Sequence, residues 1–196
     1  MSPLLKNQIN DIEYMGENVK PLLKKCGKNV KIRPLAKIAN PGVVEIGDNA
    51  IIDDFTFIAG GQGVMIGQNT HIASFVTIIG GGLFELGDFG GISAGSRIIT
   101  GSDDFSGQSL TNPSIPVKYK PHLKRGYVKI GKHAVLGTNT IVHQDVNIGI
   151  GAVTGSGTLV INDLEPWYIY IGVPARKLKR RSKELLKFEK KYLESQ

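Results

Sequence analysis

The strongest constraint on the fold of this chain is an internal repeat. Four consecutive blocks of twenty residues, beginning at Cys26, Ile46, Ile66 and Leu86, align without gaps. Inside each block the recurring apolar positions are six, six and eight residues apart, and the spacing of six returns later at Ile130, Leu136, Val142, Ile148, Thr154 and Val160. A helix needs apolar residues three and four apart, and simple alternation does not give a period of six, so the repeat predicts a solenoid.

A second regularity describes the corners of this solenoid. The residue two positions before each recurring aliphatic is usually small or β-branched, as at Ala50, Thr56, Thr70, Ser96, Ala134, Thr140, Ala152 and Thr158. A short strand with one inward aliphatic, followed by a tight corner with a small inward residue, is what a triangular coil of about eighteen residues requires. One coil cannot bury its aliphatic residues alone, so the coils must stack at about 4.8 Å, and we predict an all-β fold, a parallel β-helix.

The repeat is interrupted once and is flanked by different segments at its ends. Residues 101–127 are rich in Gly, Ser, Asn and Pro and are predicted to form a long excursion loop. Long ordered loops on a rigid scaffold commonly carry function. We expect a short N-terminal helical cap over residues 1–25, the β-helix domain over 26–178 and a basic amphipathic C-terminal helix over 179–196.

The distribution of charge limits the possible ligands. The net charge is +7, but residues 42–104 sum to −7, whereas segments 117–133 and 174–196 each sum to +6. A broad nucleic-acid-binding face would not carry such an acidic middle, so the two basic segments favour a small anionic ligand.

Other features of composition concern location and the single thiol. There is no apolar stretch long enough to span a membrane and no signal-peptide pattern, so we expect a cytoplasmic protein without a membrane partner. The lone Cys26 has no partner for a disulfide or a metal site, and we expect it to be a core residue.

The period of six resembles that of the hexapeptide-repeat proteins, whose coils wind as a left-handed parallel β-helix. Residues 128–180 are similar to the C-terminal half of sugar O-acetyltransferases of the maltose and galactoside type, including the ending Gly-x-Pro-Ala-Arg at 172–176. The whole chain is more similar to acyltransferases of surface-polysaccharide pathways, which share the loop pattern SDDFSG followed by TNPSIP and Tyr-Lys. The resemblance implies a homotrimer that transfers an acyl group from acetyl-CoA to a sugar or a nucleotide-linked amino sugar.

The resemblance also implies which residues bind the donor, in a groove between adjacent subunits. Positions that contact the pantetheine arm correspond to Thr138, Ser156, Ile161 and Asn162. Arg176 and Lys179 correspond to contacts with the nucleotide phosphates, and the basic charge of segment 174–196 suits that role independently. The alternative for this pair is a solvated basic tail. Trp167 is interpreted as an anchor that closes the last coil rather than as a platform for adenine.

The catalytic residue of the maltose and galactoside type is missing from this chain. Those enzymes place a His directly after the Thr-Gly that leaves the coil, whereas here residues 100–101 are followed by Ser102, Asp103 and Asp104. Acyl transfer still requires that the acceptor lose a proton and that an oxyanion be stabilised. Asp103 and Asp104 are therefore candidate bases or loop-turn residues, and His143, expected beside Ile99, and His122 in the loop are further candidates.

Several functional alternatives remain open at this stage. The missing His favours an amine acceptor, because a neutral amine attacks a thioester without full prior deprotonation, but O-acetylation of a simple glycoside is possible. A γ-carbonic-anhydrase-like protein would pair two zinc-binding His five residues apart, and no two of the four His have that spacing. His133 is assigned to a corner and His71 to the outer face, so no metal site is expected. A noncatalytic β-helix scaffold is the third alternative.

Overall fold

The computed structural model describes residues 14–196, which form a parallel β-helix of short strands. The first sheet is entirely parallel and contains β1 (Lys25–Cys26), β4 (Val44–Ile46), β7 (Gly63–Ile66), β10 (Leu83–Leu86), β15 (Tyr127–Ile130) and β18 (Val146–Ile148). The third sheet, also parallel, contains β3 (Lys37–Ala39), β6 (Phe57–Ala59), β9 (Thr77–Ile79), β12 (Arg97–Ile99), β17 (Ile141–Val142) and β20 (Leu159–Val160).

The second sheet has one antiparallel strand at its edge. Its strands are β2 (Lys31–Ile32), β5 (Ile51–Ile52), β8 (His71–Ile72), β11 (Gly91–Ile92), β16 (Val135–Leu136), β19 (Val153–Thr154), β21 (Tyr168–Ile171) and β22 (Arg176–Arg180). Strand β22 pairs antiparallel with β21, so the last parallel strand does not end the sheet with unpaired backbone groups.

The interior follows the predicted period. Every recurring position of the repeat from Ile32 onward is at most 4 % exposed, and equivalent residues of successive coils are paired, as in the column Ile38, Ile58, Ile78, Ile98, Val142 and Val160. The small corner residues named from the sequence are also buried. The prediction of a β-helix with one inward aliphatic per strand is confirmed, since each coil buries its aliphatics only against its neighbours.

The excursion leaves the coil where it was expected. After β12 the chain enters β13 (Gly101–Ser102), which pairs antiparallel with β14 (Lys124–Arg125), and it rejoins the first sheet at β15. A 3-10 helix at Val117–Tyr119 is the only helical turn of the loop in the described chain. The loop is therefore a hairpin at its base with irregular backbone beyond it.

The two ends differ in detail from the expectations. The N-terminal cap falls partly on residues 1–13, which lie outside the described residues, and its described part is a 3-10 helix at Gly16–Leu22. The helix expected over 179–196 is shorter, α1 (Leu185–Glu194), because residues 176–180 continue the second sheet instead. Cys26 is exposed rather than in the core, since it lies on the first strand of a sheet, at the open end of the stack.

Two aromatic contacts hold the C-terminal end of the solenoid. The ring of Trp167 lies against Gly151, where an added Cβ would be 2.6 Å from the indole. This contact supports the interpretation of Trp167 as an anchor of the last coil. Helix α1 is held by Tyr192, whose hydroxyl donates to Asn69 at 3.0 Å.

Among residues 14–196, the structure contains no helix with the length and apolar character of a membrane span.

Candidate functional site

The loop leaves the solenoid beside the ends of the third-sheet strands, and His143 lies at that place. Ile98 pairs with Val142, so His143 follows directly beside Ile99, the last residue of β12, as the spacing predicted. The backbone N–H of His143 donates to Val160 O at 2.9 Å, which places Ile161 in the same column one coil further on. Because neighbouring strands lie about 4.8 Å apart, the base of the loop, His143 and Ile161 form one continuous surface.

Asp104 organises the first turn of the loop. Its Oδ1 accepts from the backbone N–H of Ser106 at 2.9 Å and from the Ser106 hydroxyl at 2.7 Å. Its Oδ2 accepts from the backbone N–H groups of Gln108 at 2.7 Å and Ser109 at 3.0 Å. These donors, led by the Ser106 hydroxyl, lower the pKa of Asp104 to about 2. Such a carboxylate is a weak base, so the geometry favours the loop-turn role for Asp104 over the catalytic role predicted for it.

Asp103 has a different environment. Its Oδ2 accepts from the backbone N–H of Asn112 at 2.8 Å, and its Oδ1 lies 3.5 Å from the ammonium of Lys120. Lys120 is only 7 % exposed and also donates to Asn112 O at 2.8 Å. Asp103 Oδ1 is buried and has no hydrogen bond among the described residues, so the ion pair with Lys120 is its polar contact there.

The other three histidines lie on different parts of the described structure. His122 is exposed on the loop, between the 3-10 helix and β14. His71 is on the outer face of the second sheet, where its Nε2 lies 2.8 Å from Asp53 Oδ2. His133 occupies a corner with φ of 60° and pairs with Glu189 of α1 at 2.9 Å. No group of three or more His, Cys, Asp or Glu within residues 14–196 could hold a metal ion.

The predicted pantetheine contacts fall at both ends of the last two strands of the third sheet. Thr138 and Ser156 precede β17 and β20 and share one corner, where the N–H of Gly157 donates to Thr138 O at 2.8 Å. Ile161 and Asn162 follow β20 and are exposed. The four residues thus bracket one edge of the solenoid, next to His143 and the base of the loop.

The predicted phosphate contacts lie on β22 together with two other cations. Lys177 pairs with Glu165 and lies 4.5 Å from the centre of the Tyr168 ring, and Arg180 lies 5.2 Å from the same ring. Arg176 and Lys179 are exposed and have no ion pair among the described residues. Arg180 has no ion pair there either, so the two cations that the motif singled out are among the three on this strand that can take an anion.

A groove of the described chain lies away from these residues. It has a volume of about 940 Å³, runs along the outer face of the first sheet, and contains none of the predicted site residues. The candidate site is therefore an exposed edge in a single chain rather than an enclosed pocket.

The sequence does not predict a role for some residues of the candidate site. Lys120 is one of them, yet it is buried and ties Asp103 to the loop. Lys124 and Arg125 likewise have no predicted role, although they form strand β14 at the base of the loop. The +6 charge of segment 117–133 was the available signal, but it does not tell which cations remain free.

Comparison with known proteins identifies the family of this chain. No family model matches the chain. The dTDP-4-amino-4,6-dideoxy-D-glucose acyltransferase of Escherichia coli is 36 % identical over 167 residues, which cover 85 % of this chain and 86 % of that protein. The chain belongs to the hexapeptide-repeat acyltransferase family. The prediction of an acyltransferase, made from the repeat and the loop pattern, is confirmed.

Two other proteins show how much of this hexapeptide-repeat acyltransferase the similarity covers. AntD, an N-acyltransferase from Bacillus cereus solved with dTDP and 3-hydroxybutyryl-CoA, is 40 % identical with a TM-score of 0.84, over 91 % of this chain and 95 % of that one. The putative colanic acid biosynthesis acetyltransferase WcaF of Escherichia coli is 29 % identical over 80 % of this chain and 69 % of its own length. The similarity thus includes both the solenoid and the excursion loop.

Proposed function

We propose that the chain is an N-acyltransferase that moves an acyl group, in the first instance acetyl, from acyl-CoA to the amino group of a nucleotide-linked amino sugar. The observation that carries this proposal is the identity with the E. coli acyltransferase and the B. cereus N-acyltransferase over 85 % and 91 % of the chain. By similarity, the acceptor is a dTDP-linked 4-amino-4,6-dideoxyhexose. The product is a building block for a surface polysaccharide, as the similarity to WcaF supports.

The donor is bound along the exposed edge formed by β17 and β20. Thr138 and Ser156 contact one end of the pantetheine arm, and Ile161 and Asn162 contact the other. Arg176 and Lys179 neutralise the phosphates of the nucleotide, since each is exposed and lacks an ion pair among the described residues. This order directs the thioester toward His143 and the base of the loop.

The edge becomes a groove when a second copy of the chain covers it. We propose a homotrimer, because flat outer faces of a triangular prism pair heterologously and close in threes. The donor then lies between adjacent subunits, as the family resemblance implies. We also propose a cytoplasmic location, because the two substrates, a CoA thioester and a nucleotide sugar, are made there.

The reaction joins the acceptor nitrogen to the thioester carbon. The new C–N bond forms as the C–S bond breaks, CoA leaves as its thiol, and the proton lost from nitrogen balances the charge on sulfur. The amino group must be neutral when it attacks, so a group that accepts its proton assists. Asp103 is the first candidate because its Oδ1, which pairs with Lys120, has no hydrogen bond among the described residues. His143 and His122 are the alternatives.

The proposed function is tested by the acceptor. Thiol release from acetyl-CoA is measured with dTDP-4-amino-4,6-dideoxyglucose and, in parallel, with plain glycosides, and the product is examined by mass spectrometry. We expect turnover with the amino sugar nucleotide and a product heavier by one acetyl group. Turnover with glycosides alone would contradict N-acylation and favour O-acetylation.

The proton acceptor is tested by substitution. Asp103→Asn should lower kcat by about 10² or more if Asp103 is the base, with His143→Gln and His122→Gln as matched comparisons. If Asp103→Asn lowers kcat by less than about tenfold, Asp103 is not the base, and the role belongs to the histidine whose substitution lowers kcat more.

A further inference from the structure

Segment 117–133 contains six cations and no carboxylate, and the donor site uses none of them. Lys120 is tied to Asp103, Lys129 to Glu85 at 3.1 Å and Lys132 to Glu189. Lys118 lies 4.9 Å from the centre of the Tyr119 ring. The remaining two, Lys124 and Arg125, have no ion pair and no aromatic contact in the described part of the chain.

These two residues have a fixed backbone position. Lys124 pairs with Ser102 and Arg125 with Gly101 in the β13–β14 hairpin, so both are held at the base of the loop. The hairpin is anchored to the coil, because the N–H of Gly126 donates to Thr100 O at 2.8 Å. Both side chains are exposed.

The surface beside Arg125 carries no side chain. Its Nε lies 3.7 Å from the position that a Cβ on Gly81 would occupy, and Gly81 belongs to the three-glycine corner 80–82. Gly80 and Gly81 have φ values of +113° and +76°, which favour glycine. The guanidinium therefore lies beside backbone of the glycine corner rather than against a packed side chain.

The carboxylates of the loop do not neutralise these two cations. Asp104 accepts four hydrogen bonds from its own turn, and Asp103 is held by Asn112 and Lys120. The carboxylate of Asp145 lies against Gly126, yet no ion pair joins it to either cation in the described chain. Lys124 and Arg125 are thus left without an ion pair at the loop base, on the strand that pairs with Gly101 and Ser102, directly before Asp103.

We propose that Lys124 and Arg125 bind the diphosphate of the acceptor, so that the nucleotide is anchored on the hairpin and its sugar extends toward Asp103. A diphosphate presents two adjacent anionic groups, which suit one guanidinium with paired donors and one ammonium. This inference rests on the proposed function, because it names the part of the acceptor that the loop recognises. It assigns the two basic segments to different substrates, with β22 binding the donor and β14 the acceptor.

The test uses the full-length protein and the double variant Lys124→Gln/Arg125→Gln. Binding of dTDP alone is measured by calorimetry, and KM is measured for both substrates. We expect the Kd for dTDP and the KM for the amino sugar nucleotide to rise about tenfold or more, because two charge-assisted hydrogen bonds are lost. The KM for acyl-CoA should not change.

Lys118→Gln is the matched control, since it removes a cation of the same segment that lies over Tyr119. It should leave the Kd for dTDP within about twofold of the original chain, and all variants should unfold at the same temperature. If the double variant binds dTDP as tightly as the original chain, the inference is wrong while the proposed function stands. If the original chain neither binds dTDP nor acylates any amino sugar nucleotide, the proposed function itself fails.

Discussion

The stacked coils and the excursion loop are stabilised in different ways. In the coils each inward aliphatic contacts equivalent residues above and below, as Ile58 does between Ile38 and Ile78, so the same contact is repeated along the whole solenoid. In the loop the backbone is held by two carboxylates and one buried ammonium, those of Asp103, Asp104 and Lys120. Stability thus resides mainly in the coils, whereas the geometry of the candidate site depends on a few polar groups.

The largest effect is expected in the coil. Ile58 is fully buried, and Ile58→Ala should lower the free energy of unfolding by about 2–5 kcal/mol, because it removes apolar contacts and leaves a cavity. Denaturant unfolding measures this, and Leu35→Ala, at a residue 48 % exposed, is the control. The KM for either substrate should be unchanged at a temperature where the variant is folded. Similar losses in the two variants would contradict the assignment of stability to the inward columns.

A smaller and local effect is expected from Asp104→Asn in the loop. The amide keeps the size of the side chain but places an NH₂ group against backbone N–H donors that bond to a carboxylate oxygen in the original chain, so the turn loses hydrogen bonds. Amide hydrogen exchange at residues 105–109 should become faster, and kcat/KM for the acceptor should fall about tenfold, while the unfolding temperature of the coil changes little. Unchanged exchange in this turn would show that the carboxylate does not hold it.

The smallest effect is a pH dependence confined to the same turn. The pKa of Asp104 is about 2, below its usual 3.8, so its contribution to stability is present above pH 3.8 and is lost as the pH falls toward 2. Exchange of the Ser106, Gln108 and Ser109 amides should therefore accelerate as the pH falls through this window, after correction for intrinsic rates. The Asp104→Asn variant should lack this acceleration, and an identical response in both chains would refute the role of the carboxylate.

The loop also shows why the site was less predictable than the fold. Asp103 and Asp104 are adjacent and chemically identical, so their order in the chain does not separate their roles. In the structure one accepts four hydrogen bonds from the next five residues, and the other is held by Lys120 and Asn112. The same limit applied to the free cations, because their partners, such as Glu189 for Lys132, are distant in sequence.

The solenoid, the position of the loop and the inward residues could be predicted from the repeat alone. Each coil has the same local requirement every six residues, one aliphatic residue inward and one small residue at a corner, so the order of residues is enough to predict the fold. Which charged groups lack an ion pair could be seen only in the folded chain, because neutralisation depends on which side chains meet across the loop, the strand β22 and the helix α1. Charge is a property of residues, but its availability to a ligand is a property of the fold.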